Sequence, residues 1–346
     1  MASNAPSIEA LRRKAGALFV DNAFHTLATV SKLHPMAKPE RHGVRVEHDL
    51  RYGDERAAPW RKLDVYRPSG AGPKPVVLYV HGGGFRILSK DTHWVMALAF
   101  ARAGYVVFNV DYRLAPEHPF PAAIDDVTAA YQWVVENAYT YGGDPSRLIV
   151  AGESAGANLT LALTMAATHE HPSEYARRVF ETGVAPVASA PMCGMFQVSD
   201  SRRFVRKKPR MSAFIADRIH EVEHAYLDPS PIHRDDPVRD LADPLLWLER
   251  EPRSARPLPP LFTAVGTKDP LVDDTRRLER AWRARQGRVE AHVFEGEVHA
   301  YHAFVWRRAA RETWSKKHAF LRDVLATVKA HEERARDERS RGERSR

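Results

Sequence analysis

Apolar residues recur along this chain in two alternating rhythms. Val76-Val77-Leu78-Tyr79-Val80, Tyr105 to Val110 and Leu148-Ile149-Val150-Ala151 are short, nearly continuous apolar runs, the pattern of strands buried on both faces. Val184 to Ala190, Leu261 to Val265 and Val289 to Phe294 continue that series. Between them, Trp94 to Ala101, Ala122 to Asn137, Ser154 to Ala167, Thr275 to Arg285 and Arg311 to Lys329 read as helices. Two earlier segments, Val44 to Leu50 and Leu63 to Tyr66, alternate with a period of two and predict strands flanking a turn at Gly53 to Pro59. Upstream, Ile8, Leu11, Ala15, Leu18, Phe19, Ala23 and Leu27 predict an amphipathic helix over Ile8 to Val30, closed by Pro35 and Pro39. The alternation predicts an α/β fold with a mostly parallel central sheet covered by helices on both faces.

One interruption organises the chain. From Met195 to Pro257 no buried strand is predicted, and Phe214, Ile215, Ile219, Val222 and Tyr226 recur at helical spacing between proline-rich loops. The expected division is an amino-terminal cap-helix region over 1–42, a core over 43–194 and 258–330, an inserted helical cap segment over 195–257, and a charged tail over 331–346 that frays or stays disordered.

Composition narrows the class. Hydrophobic residues make up 44% and charged residues 28%, with no apolar run of membrane-spanning length, so no membrane span is expected. Met1 to Pro6 lacks the basic and apolar regions of a secretory signal, and the single cysteine, Cys193, is expected as a small buried hydrophobe; both fit a cytoplasmic location. The net charge of +8 concentrates at Arg202 to Arg210, expected as a solvated surface segment, and no nucleic-acid partner is expected. Nothing in Arg311 to Lys329 decides for or against a homodimer.

The chemistry sits where strands end. Gly152-Glu153-Ser154-Ala155-Gly156 follows the Leu148 strand in the form G-x-S-x-G, whose glycines permit a sharp strand-to-helix turn that lifts one serine above the sheet. Ser154 is the candidate nucleophile. His81-Gly82-Gly83-Gly84-Phe85 follows the Val76 strand and can aim successive amides at one point, making Gly83, Gly84 and Ala155 the candidate oxyanion donors. Asp269 follows the Leu261 strand, and His299 follows the Val289 strand, with His302 and His81 as competitors for the base. Asp273 and Asp274 read as first-turn residues of the next helix. The chain order Ser154, Asp269, His299 is the order in which α/β-hydrolases arrange their triad.

With those residues in view, the chain resembles the hormone-sensitive-lipase-like family of α/β-hydrolase esterases. The resemblance is carried by His81 to Gly84, by Asp111-Tyr112-Arg113-Leu114-Ala115-Pro116-Glu117 with Phe120-Pro121-Ala122-Ala123, by Gly143 to Arg147, by Gly152 to Gly156 and by Asp269-Pro270-Leu271, and it covers about Leu63 to Phe304. It implies a serine hydrolase cleaving carboxylic esters of short to medium acyl chains, with Ser154 as nucleophile, His299 as general base and acid, Asp269 as its orienter, and no metal or other cofactor. Phe85, Phe204, Phe214 and Tyr301 are expected at the substrate entrance. An amidase or arylformamidase using the same triad is the alternative, and a non-catalytic small-molecule receptor on this fold is a more distant one. The chain departs from the family at Glu153, where Asp is commoner, at Ala157, where a further Gly is usual, and at His299-Ala300-Tyr301 in place of H-G-F.

Overall fold

The computed structural model describes residues 21, 22, 25, 26, 28–53, 60–250 and 253–344. Most of the helix expected over Ile8 to Val30, and residues 54–59 of the turn expected at Gly53 to Pro59, lie outside the described residues. Eight strands among those described form one sheet in the order β1-β2-β4-β3-β5-β6-β7-β8. They are β1 (Val44–Arg51), β2 (Lys62–Pro68), β3 (Lys74–Val80), β4 (Val106–Val110), β5 (Gly143–Glu153), β6 (Ala188–Met192), β7 (Leu261–Gly266) and β8 (Val289–Phe294). β2 runs antiparallel to β1 and β4, and every other pairing is parallel.

Period-two burial explains why the central runs are apolar throughout. Val76, Leu78 and Val80 of β3 face one core, while Val77 and Tyr79 face the other. The first core is closed by α2 (Ala122–Asn137), α3 (Ala155–Thr168), α4 (Glu174–Glu181) and α8 (Val272–Ala284); the second is closed by α1 (Trp94–Arg102) and α9 (Arg308–Arg344). Each such side chain removed from water contributes about 1.5–3 kcal/mol. Register then aligns the strand ends: Val80 pairs with Gly152, Gly152 with Pro191, and Gly266 with Phe294. The loops carrying His81 to Phe85, Ser154, Asp269 and His299 therefore leave the same edge of the sheet.

Among the described residues, 195–257 contain three α-helices, α5 (Arg202–Lys207), α6 (Ala213–Leu227) and α7 (Pro244–Arg250). The helix expected at Met211 to Tyr226 is α6, capped by the Ser212 hydroxyl, which accepts from the Ile215 amide at 3.3 Å. The segment is not all peripheral, because α7 buries Leu245, Trp247 and Leu248 in the first core. The basic stretch Arg202 to Arg210 also differs from the solvated segment expected. Arg203 is buried against Asp274 at 2.6 Å, and the Lys208 ammonium donates to the Asp269 carbonyl oxygen at 2.7 Å; these docking bonds are invisible to composition. The tail expected to fray instead continues α9 as far as Arg344. Its Glu, Arg and Ala residues are good helix formers, and the i,i+4 pair of Lys329 with Glu333 supports its start.

Asp126 of α2 is a structural hub. It is fully buried and accepts from Arg61 Nε at 2.6 Å, from the Arg113 backbone amide at 2.8 Å and from Arg113 Nη2 at 2.7 Å. The motif residue Arg113 thus clips the Asp111 to Glu117 loop to α2, and Arg61 clips the start of β2 to the same carboxylate. Removing one partner from such a buried network strands the other charges. Asp126→Ala is expected to lower the unfolding free energy by roughly 3–5 kcal/mol in urea denaturation, and an unchanged midpoint would contradict the assignment.

Candidate active site

β5 ends at Glu153 and α3 begins at Ala155, which leaves Ser154 alone in the turn at φ 54° and ψ −119°. That backbone region is unfavourable for a residue with a Cβ and survives only where packing imposes it. The packing is visible at the two glycines. A Cβ on Gly152 would lie 2.6 Å from the Val80 carbonyl oxygen, and one on Gly156 would lie 2.1 Å from that same oxygen. Glycine at both positions lets α3 start directly against the end of β3.

The Ser154 hydroxyl lies 3.0 Å from His299 Nε2, and His299 Nδ1 lies 2.8 Å from Asp269 Oδ2. With Nδ1–H donated to the carboxylate, Nε2 is the acceptor for the serine hydroxyl. Asp269 is fully buried, and its Oδ1 accepts the Leu271 amide at 2.8 Å, which fixes the carboxylate plane. Burial opposes charge on His299, but the Asp269 charge and hydrogen bond, with Glu153 behind them, outweigh it and raise the imidazole above its ordinary value. The three residues chosen from the sequence thus meet in one hydrogen-bonded relay. Ala300, next to His299, adopts φ 53°, a left-handed conformation that glycine reaches without the ~1–2 kcal/mol cost of a Cβ.

The competing histidines stand elsewhere. His302 is buried with its Nε2 3.6 Å from Glu153 Oε2. His81 bonds the Gly82 carbonyl through Nδ1 at 2.7 Å, and burial, with His93 beside it, pushes its imidazole down to about 3. Asp273 and Asp274 occupy the first turn of α8.

The loop after β3 folds tightly. Gly83 has φ 109°, and a Cβ there would fall 2.0 Å from the Ile87 carbonyl oxygen; Gly84 has φ 60° and lies under Val222 of α6. Gly83, Gly84 and Ala155 border one cavity of about 500 Å³ that also opens onto Ser154 and His299. Its walls are mostly apolar, from Leu88, Met195, Ile215, Ile219, Val222, Leu271 and Val298, with Arg86, Arg218 and Lys268 among them. Of the four aromatic residues expected at the entrance, Phe85 and Phe214 line this cavity. Phe204 and Tyr301 do not: Phe204 is buried under the Arg203 guanidinium, and Tyr301 is buried with its hydroxyl 2.6 Å from Thr313 Oγ1. An aromatic residue near the site in sequence serves as core as readily as lining, and only the fold separates the two. Ile215, Ile219 and Val222 were legible as one face of α6, but the surface that face meets was not.

Cys193, Asp269 and His299 offer ligand atoms within 4.8 Å of one another. Burial, with the charges of Asp269 and Glu153, pushes the Cys193 thiol well up, which keeps it a neutral thiol. The Asp269 and His299 atoms are already bonded to each other, so this trio suits the relay better than a metal.

The close start of α3 leaves no room for a Cβ at Gly156. Gly156→Ala is expected to lower the unfolding free energy by at least the upper end of the ~1–3 kcal/mol typical of overpacking, read as a fall in the thermal midpoint. A parental midpoint would contradict the account of the turn.

Residues 77–303 match the family model described as an alpha/beta hydrolase fold. The chain is 55% identical over 94 residues to carboxylesterase NlhH of Mycobacterium tuberculosis, covering 27% of this chain and 30% of that protein. It is 32% identical over 238 residues to the carboxylic ester hydrolase LipN of the same organism, covering 68% of this chain and 59% of that protein. The chain therefore spans about a third to three fifths of the length of these curated relatives. Among solved structures it resembles EstE1, a thermostable carboxylesterase cloned from a metagenomic library, with a TM-score of 0.69 and 27% identity over 94% of this chain and 99% of that one. Together with the glycine loop, the serine turn and the relay behind it, these matches make the chain a member of the α/β-hydrolase fold family, in its hormone-sensitive-lipase-like branch.

Proposed function

We propose that this protein hydrolyses carboxylic esters through an acyl-enzyme on Ser154. The observation that carries the reading is the relay Ser154–His299–Asp269 opening onto a mostly apolar cavity. His299 Nε2 takes the hydroxyl proton as Ser154 Oγ attacks the ester carbonyl, and Asp269 stabilises the imidazolium so formed. The amides of Gly83, Gly84 and Ala155 receive the oxyanion. His299 then protonates the departing alcohol, and water, deprotonated by the same imidazole, releases the acid.

Cavity size supports small esters. About 500 Å³ accommodates a short or medium acyl chain, whereas a long-chain triglyceride exceeds it. The carboxylesterase names of the relatives support ester over amide substrates.

With p-nitrophenyl esters of increasing chain length, turnover is expected to peak at short to medium acyl groups, and the matching anilides to react far more slowly. Ser154→Ala is expected to lose on the order of 10³ or more in turnover; full activity in that variant would overturn the reading. Because the base must be neutral and its pKa is raised, kcat/KM is expected to fall on acidification through a limb above the ordinary imidazole value of about 6.5. A limb below that value would contradict the electrostatics assigned to His299.

A further inference from the structure

Behind the nucleophile lies a group of ionisable side chains that the reaction above does not use. Glu153, immediately before Ser154, is only 3% exposed. Its Oε1 accepts the Gly82 amide at 3.1 Å and stands 2.5 Å from His93 Nε2. Its Oε2 accepts the Tyr79 hydroxyl and lies 3.6 Å from His302 Nε2. These partners come from four places: Tyr79 from β3, Gly82 from the donor loop, His93 from the residue capping α1, and His302 from the turn that carries His299. A buried carboxylate is costly unless its partners surround it. Here they do, and each ties down a different wall of the site.

We propose that Glu153 is a positioning residue for ester hydrolysis: its carboxylate fixes the Gly82 to Gly84 donor loop and the His299 to His302 turn relative to Ser154, and its charge supports the imidazolium that His299 becomes. The inference rests on the reading of Ser154 as nucleophile and His299 as base. Gly82 is matched to this role, since a Cβ there would come within 2.9 Å of Glu153 Oε1. The donor loop therefore leans on the carboxylate, and the amides of Gly83 and Gly84 follow directly from the one it holds. Burial disfavours the Glu153 charge, yet His93 and His302 hold its carboxyl well below the usual carboxylate range, so it is an anion. Groups facing His299 are Asp269 from the loop after β7, Cys193 from the loop after β6, Glu153 from the end of β5, and His302 from its own turn. Groups facing Glu153 are Tyr79, His81, His93 and His302, with Lys317 reaching in from α9. Of those around His299, Glu153 is the second anion after Asp269.

The test is Glu153→Gln in the full chain, with Glu153→Asp and Ser154→Ala beside it. Each is assayed on a p-nitrophenyl ester across pH, and active sites are counted with a p-nitrophenyl phosphonate. In Glu153→Gln, kcat is expected to fall on the order of 10–100-fold, less than loss of a donor itself would cause, with KM within about threefold. The acid limb of kcat/KM is expected to move to lower pH, because an anion facing His299 has gone. A parental kcat, or a limb that stays in place while kcat falls, would overturn the proposal, since a merely structural role leaves the limb unmoved. If the glutamine variant does not fold, Glu153→Asp carries the test: charge kept but reach shortened, it should lose kcat with the limb at its parental pH, and parental kcat there overturns the proposal. Activity persisting in Ser154→Ala would instead remove the nucleophile reading beneath it.

Discussion

The whole site hangs on one close contact, the approach of α3 to the Val80 carbonyl oxygen at the end of β3. Gly152 and Gly156 have no Cβ to hold the two apart. Because β3 and β5 are parallel neighbours in register, this contact places the serine turn beside the glycine loop that leaves β3. The strained backbone of Ser154 is the consequence, held by the sheet below and by its own amide bonded to Met192 at the end of β6. The Ser154 hydroxyl thus stands on rigid elements, with the glycine loop one strand away.

Electrostatics ties the remaining parts to that turn. Asp269 bonds His299 from one side, while Lys208, just after α5, holds the backbone of the Asp269 loop. On the other side, Glu221 of α6 pairs with Arg86 at 2.6 Å, just past Gly83 and Gly84, and with Arg218 at 2.9 Å. Residues 195–257 therefore touch both the Asp269 loop and the glycine loop while also forming a wall of the cavity. The densest basic run, 202–210, is partly buried because Arg203 and Lys208 are taken up in such docking bonds.

How much of this was legible in the sequence depended on the range of the interaction. Strand ends are local: apolar runs stop, glycines or turn residues follow, and Ser154, Asp269 and His299 could each be placed at a sheet edge from their own neighbourhood. Their convergence followed from the alternation of strands and helices, which leaves few topologies. Side-chain direction was not local. Phe204 and Tyr301 lie as near the site in sequence as Phe214 and Phe85, yet packing beneath Arg203 and against Thr313 draws them into the core. The Asp126 hub and the partners of Glu153 span tens of residues and have no spacing signal, so they emerged only with the fold. The helix through residues 331–344 was not legible because a lack of apolar residues says nothing for or against a helix built from Glu, Arg and Ala.

The central claim is that chemistry passes through the Ser154 oxygen. Rapid acid quench of the protein during turnover of a p-nitrophenyl ester, followed by peptide mapping by mass spectrometry, measures this directly. The account predicts one acyl group per chain, carried on the peptide that contains Ser154 and located at that residue. An acyl group on another side chain, or rapid turnover with no acylated Ser154 at any quench time, would contradict it.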